Sequence, residues 1–184
     1  MSDIIEVPIT IASAPGANYL CQVSIAATTY GPPSIQDNSY WFSVYDRSTL
    51  AQVFSVVQAF KADTVPADLA GKFNTTQYFL VVATRTLQSA YVPAGALHAF
   101  LVDSGSSTEL KRLTQSYQQI GCGRLGIVTY AMAGVLGPGQ PSHASVEASS
   151  ISANTSQFLQ ATLLGIPVPT GRLYNPTPLT PPTP

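Results

Sequence analysis

The sequence predicts an α/β protein that folds as a single domain around a hydrophobic core. Two continuous apolar runs, residues 77–84 and 127–136, have the length of strands that are covered on both faces. Between them, residues 92–105 and 106–120 place apolar side chains at helical spacing. A length of 184 residues suffices for one domain and is short for two.

The elements before and after this centre are predicted to be strands. Residues 39–46 and 50–60 are rich in β-forming residues and are joined by a short turn, so we expect a hairpin. Residues 63–73 begin and end like a further helix. Residues 144–151 and 156–166 alternate weakly and are expected to be closing strands.

Two terminal segments are predicted to flank a domain at residues 39–169. Residues 1–38 contain two alternating stretches and form a predicted β arm. Residues 170–184 are rich in Pro and Thr, a composition typical of polyproline II or of disorder in isolation. We therefore expect an amino-terminal β extension and a Pro-rich carboxy-terminal tail.

The charge content limits the classes of partner. Only 9% of the residues are charged, against about 25% in a typical soluble domain, and the formal net charge is −1. Such a chain has no basic field for nucleic acid, and it contains no apolar run of membrane-spanning length. Residues 1–16 have no positively charged start, so we expect no export signal. Low charge, abundant Ser and Thr and 15 prolines suit a protein that is either exported or packed against copies of itself.

The stretch 103–107 reads DSGSS and raises the question of a hydrolase nucleophile. Ser106 and Glu109 match a helix capping box, and a predicted helix already precedes the stretch. A nucleophile elbow needs a strand before the serine. We therefore predict that Ser104 and Ser106 are helix-terminal residues, that neither Ser104 nor His98 is catalytic, and that the protein is not an enzyme.

Neither a cofactor nor a metal is predicted. His98 lies within a helical stretch and His143 in a loop, and neither has a second ligand at suitable spacing. The Gly-rich residues 121–126 follow a helix and precede a strand, the reverse of the dinucleotide-binding order. Cys21 and Cys122 are expected to be two buried thiols, although a single bridge between them stays open.

The aromatic residues of the predicted hairpin are candidates for an interaction surface. Tyr40 lies on one face of the strand, and Trp41 and Tyr45 lie on the other. One face is core, and the other could stack sugars or contact a subunit. The alternative is that Trp41 is buried under a helix in a two-sided sheet. We name Tyr40, Trp41, Tyr45 and, in the tail, Tyr174 as binding or interface residues.

Four short motifs carry a family resemblance. They are FLVVAT at 79–84, FLVDSGSS at 100–107, IVTYAMAG at 127–134 and GIPVP at 165–169. Over about residues 39–169 the chain resembles the interleukin-like EMT inducer (ILEI) domain family. The resemblance implies an α/β sandwich, a mixed β-sheet packed against helices, and a non-enzymatic binding module. ILEI-like domains also occur in proteins of bacterial viruses.

Together these observations predict a structural and binding protein of an extracellular assembly. The leading hypothesis is a virion component (phage tail, collar or capsid accessory part) that associates with itself or with other particle subunits. The alternative is a secreted or surface carbohydrate-binding module that uses an aromatic face. A hydrolase is the least favoured class.

Overall fold

The computed structural model describes residues 5–16, 20–120, 127–138, 144–150 and 157–179. It contains two antiparallel five-stranded sheets and a layer of short helices, and strand residues far outnumber helical residues in the described ranges. The predicted fold class, an α/β sandwich built on one mixed sheet, is therefore wrong. The physical reason is long-range pairing, since strands from both ends of the chain join into a second sheet.

The strands and helices follow one another along the chain in a simple order. The strands are β1 (Ile5–Ser13), β2 (Gln22–Ile25), β3 (Thr28–Tyr30), β4 (Ser39–Asp46), β5 (Gln52–Ala59), β6 (Tyr78–Arg85), β7 (Thr129–Val135), β8 (Ser145–Ser150), β9 (Gln157–Val168) and β10 (Gly171–Pro178). The helices are α1 (Ala67–Ala70), α2 (Gly95–Asp103) and α3 (Thr108–Ile120). The outer sheet has the order β10-β9-β1-β2-β3, and the central sheet has the order β5-β4-β6-β7-β8.

The outer sheet joins the two ends of the chain. β1 pairs with β9 from Ile5↔Gly165 to Ser13↔Gln157, so the predicted arm is bonded to a strand of the predicted domain. Residues 171–178, predicted to be polyproline II or disordered, instead form β10 and pair with β9 along their length. A partner strand supplies the hydrogen bonds that a Pro-rich segment lacks on its own.

The central sheet contains the elements that local patterns predict best. The hairpin of β4 and β5 is confirmed, with Ser39 paired to Ala59 and Val44 to Phe54. The two continuous apolar runs are confirmed as β6 and β7, and every residue of β7 is buried. β4, β6 and β7 are covered on both faces, because the outer sheet packs on one side and the helices on the other.

Two apolar layers result from this arrangement. The layer between the sheets includes Ile9, Ile11, Val23, Trp41, Tyr45, Phe79, Val81, Ala131, Val135, Leu159 and Leu163. The layer between the central sheet and the helices includes Tyr40, Phe42, Val44, Leu69, Leu80, Val82, Leu97, Phe100, Leu101, Leu110, Tyr130 and Met132. Among the described residues, no helix combines the length and the apolar character needed to cross a bilayer.

The end of β1 also bonds the two sheets directly. The Ala14 N–H donates to the Thr84 carbonyl at 3.0 Å, and the Thr86 N–H donates to the Ala14 carbonyl at 2.9 Å. The Ser13 hydroxyl donates to the Tyr130 carbonyl at 2.6 Å. These buried bonds satisfy backbone groups where the pairing of β6 with β7 is interrupted, so the sheets are fixed to one another by more than packing.

The helices differ from prediction in extent and in capping. α2 is confirmed, with Leu97, Phe100 and Leu101 buried, whereas the predicted helix at 63–73 is only the single turn α1. The predicted capping box is wrong, since the Ser106 hydroxyl hydrogen-bonds the Tyr130 hydroxyl at 2.5 Å. A side chain from β8, Glu147, caps α3 instead.

Candidate functional site: an unpaired sheet edge

The aromatic residues predicted on β4 lie in the core. Tyr40, Trp41 and Tyr45 each have 0% exposed surface. The Trp41 indole N–H donates to the Ser55 hydroxyl at 2.8 Å, and the Tyr40 hydroxyl donates to the Tyr91 carbonyl. Burial raises the pKa of the Tyr40 hydroxyl and the pKa of the Tyr45 hydroxyl above the usual value for tyrosine. The alternation of faces was predicted correctly, but the outer sheet covers the face that was proposed for sugars, so it offers no ring surface.

Tyr174 lies apart from this group, in the edge strand β10. Its ring is partly buried against the layer between the sheets. Its backbone N–H donates to the Arg47 carbonyl at 2.9 Å, and its carbonyl accepts from Arg47 Nε at 3.1 Å. Tyr174 therefore anchors β10 to the turn between β4 and β5.

Ser104 and His98, the candidates for catalysis, lie at the end and in the middle of α2. Ser104 ends α2, and its hydroxyl donates to the Phe100 carbonyl at 2.8 Å, as expected of a helix-terminal serine. His98 is half-buried and lines a groove of about 950 Å³ beside α3. No group of three potential metal ligands occurs among the described residues. His143 and the Gly-rich residues 121–126 lie outside them.

The amino terminus of α3 is occupied by a carboxylate of the chain itself. The Glu147 carboxylate in β8 accepts from the N–H groups of Ser107 and Glu109 at 2.9 and 2.8 Å, and from the Tyr130 hydroxyl at 2.9 Å. Burial, reinforced by the charge of Glu147, raises the pKa of Tyr130 well above its usual value. An external anion would have to displace Glu147 to reach these amides, so the groove beside α3 has no free anion site at this helix end.

Cys21 is a buried, unreactive thiol. Its Sγ donates to the Thr84 carbonyl at 3.3 Å, and burial raises the pKa of the thiol to about 11. The thiolate is the reactive form, so Cys21 is a poor nucleophile near neutral pH. Cys122, the other residue of the open bridge, lies outside the described residues.

The edge strand β5 has a composition that separates it from the rest of the surface. Residues 48–60 contain no Asp, Glu, Lys, Arg or His, and no Pro or Gly. Arg47 and Lys61 are the charged residues that flank this stretch. Charged side chains and prolines are the usual means by which a protein blocks an edge strand, and β5 has neither.

The backbone of β5 has a row of free hydrogen-bonding groups. The Phe60 N–H donates to the Asn38 carbonyl at 2.8 Å, which fixes the alternation so that even-numbered residues bond to β4. The N–H and C=O groups of Ser55, Val57 and Ala59 point away from the sheet. In the described ranges, no backbone bond joins these three residues to another element.

The side chains of β5 continue both apolar layers to the edge. Val57 packs against the layer between the sheets, and Phe54 and Val56 pack against the helical layer. Val53 and Phe60, near the two ends, are 43% and 52% exposed. The register shift opposite Val44 and Tyr45 makes Val53 a bulged residue, so residues 54–59 keep a regular ladder.

Each of the other sheet edges in the described chain has a feature that limits pairing. On β10, Pro176 and Pro178 lie at positions whose backbone groups point away from β9. A proline has no N–H to donate at such a position. β3 has three residues. On β8, the outward Ser149 carbonyl already accepts from Arg112 Nη2 at 3.1 Å. The sequence indicated the aromatic strand β4 as an interaction surface and did not indicate its neighbour β5. The detectable signal of β5 was the run of thirteen uncharged residues, 48–60.

No protein-family model matches the chain, and no curated protein is significantly similar to it. The resemblance of residues 39–169 to the ILEI domain family therefore stays a prediction from the sequence.

Proposed function

We propose that the protein is a non-enzymatic structural component of an extracellular assembly, such as a phage tail, collar or capsid accessory part, that self-associates through the β5 edge. The observation that carries the proposal is the uncharged stretch 48–60, because it coincides with a strand whose outward backbone groups have no partner among the described residues. Such an edge is a template for a strand from another chain.

The composition of the whole chain supports the same function. A net charge of −1 and a charged fraction of 9% leave little electrostatic repulsion between copies. The edge also exposes apolar side chains, Val53 and Phe60, whose burial on association would be favourable. Both features favour association of like chains.

Neither alternative function gains support from the geometry. The carbohydrate-binding hypothesis relied on an exposed aromatic face, and Tyr40, Trp41 and Tyr45 have none. The hydrolase hypothesis relied on Ser104 and His98, and the Ser104 hydroxyl is bonded within α2. Among the described features, the β5 edge therefore supports a function best.

The mass of the protein in solution tests the proposal. Light scattering after size exclusion, over a range of loading concentrations, would compare wild type with the double variant Val53→Lys/Phe60→Lys, which adds two charges at the edge. A matched control, Leu20→Lys/Phe158→Lys, makes the same change at positions that are 75% and 58% exposed and lie outside β5, before β2 and in β9.

We expect wild type and the control to have masses of at least twice the 19.4 kDa of one chain, and the β5 variant to approach 19.4 kDa. A wild-type mass of 19.4 kDa at every concentration would contradict the proposal. Equal loss of association in both variants would show that β5 is not the surface responsible.

A further inference from the structure

We propose that β5 pairs antiparallel with β5 of a second copy about a two-fold axis at Val57, which joins two central sheets into one continuous ten-stranded sheet. This inference rests on the proposed self-association and names its partner and its register.

The partner strand follows from the state of the other edges. β10 has prolines at its outward positions and a bond from Arg47, and β8 is contacted by Arg112. β3 is too short to offer more than one or two bonds. Within the described chain, the free strand that can meet β5 is therefore β5 of another copy. Identical surfaces that meet in this way form an isologous contact, which closes at two subunits.

The register follows from the alternation and the length of the ladder. The outward residues 55, 57 and 59 all meet outward residues of a second copy only when the axis passes through residue 57. Val57 then lies opposite Val57 of the second copy, and Ser55 lies opposite Ala59. These are the outward residues, so each pair exchanges two hydrogen bonds, about six in total.

The side chains are compatible with this register on both faces. On the face toward the outer sheet, the two Val57 side chains meet and extend the layer that contains Trp41. On the helical face, Val56 lies opposite Gln58 of the second copy, and neither side chain is charged. Lys61 lies beyond the end of β5, so no like charges face one another within the paired stretch.

Single cysteines provide a direct test of the register. In a Cys122→Ser background, Val57→Cys places two thiols on neighbouring strands with Cα atoms about 5.5 Å apart, within disulfide range. The matched control is Val56→Cys, the adjacent valine, which faces residue 58 and lies more than about 7 Å from its own symmetry mate. Both variants would be oxidised gently, at a concentration where wild type associates, and separated on non-reducing gels.

We expect a disulfide-linked dimer for Val57→Cys at a yield at least about tenfold above that of Val56→Cys. A mixture of Ser55→Cys and Ala59→Cys chains should likewise give mixed dimers in preference to either self-linked form, which tests the register if Val57→Cys folds poorly. Association without these links would overturn the β5 pairing and leave self-association standing. A wild type that stays monomeric would overturn both.

Discussion

Two edge strands of the same length, β5 and β10, have opposite characters. Each has eight residues and lies at the end of a five-stranded sheet. β10 has Pro176 and Pro178 at its outward positions. The outward N–H and C=O groups of Tyr174 are both hydrogen-bonded to Arg47. On β5, the outward groups of residues 55, 57 and 59 have no such partners among the described residues.

The difference shows that this fold closes one side of its sandwich and leaves the other open. β8 and β10 are in contact on the closed side, and β3 and β5 are the opposite edges of the two sheets. An open edge exposes a protein to uncontrolled pairing unless a partner occupies it. The contrast between β5 and β10 supports the proposal that β5, rather than a single exposed apolar residue, is the surface for self-association.

The largest effect is expected from removing the side chain that closes β10. The Arg47 guanidinium donates to the Tyr174 carbonyl at 3.1 Å and also to the Thr76 carbonyl and the Asn175 side chain, while Arg47 is only 7% exposed. Arg47→Ala leaves these acceptors unsatisfied, and we expect the free energy of unfolding to fall by about 3 kcal/mol. Urea unfolding would measure it, with Arg47→Lys as an intermediate control. A loss below about 1 kcal/mol would contradict the role of Arg47.

The next effect concerns β8, the other strand of the closed side. Glu147→Ala removes the acceptor for two N–H groups at the start of α3 and for the Tyr130 hydroxyl. We expect a loss of about 2 kcal/mol in urea unfolding, because capping bonds and a buried hydroxyl are left without a partner. Glu147→Gln, which keeps one acceptor, should lose less. Equal stability of Glu147→Ala and wild type would show that α3 is held by packing alone.

The third prediction converts the closed edge into an open one. Pro176→Ala/Pro178→Ala restores two outward N–H groups on β10 at a cost of about 1 kcal/mol in stability. With a second free edge, we expect the dimer to give way to larger species that grow with concentration, measured by light scattering. An unchanged dimer mass would mean that Arg47 alone protects β10.

The smallest effect is a pH dependence at the turn that leads into β5. Burial alone would raise the pKa of Asp46, but hydrogen bonds from Ser48, Gln77 and Thr49 outweigh it and lower the pKa to about 2 from 3.8. A lowered folded-state pKa gives stability that is present above about pH 4 and is lost as the pH falls toward 2. The stability difference between wild type and Asp46→Asn should therefore shrink over that interval. A difference independent of pH would contradict this assignment.

Local elements of the fold could be predicted because their signals are local. The hairpin of β4 and β5 follows from β-rich runs on either side of a short turn, and α2 follows from the spacing of Leu97, Phe100 and Leu101. The continuous apolar runs of β6 and β7 correctly indicated strands covered on both faces. These features depend on neighbours within a few residues of each other.

The rest depends on contacts between distant residues. The pairing of β1 with β9 joins segments about 150 residues apart, and nothing in either alternating stretch identifies the other. Ser106 and Glu109 have the spacing of a capping box, yet a carboxylate from Glu147, 38 residues beyond Glu109, takes the amides. Trp41 is of a residue type that is common at binding surfaces. It is buried because the outer sheet covers its face of β4.

The measurement that tests the central claim most directly is amide hydrogen exchange along β5, resolved by residue and recorded at a high and a low protein concentration. We predict that the amides of Ser55, Val57 and Ala59 exchange at least about tenfold more slowly at the high concentration, because association gives them acceptors. The amides of Phe54, Val56 and Gln58 should be protected at both concentrations, since they bond to β4. Exchange at residues 55, 57 and 59 that is fast and independent of concentration, in a sample whose mass shows association, would contradict the account.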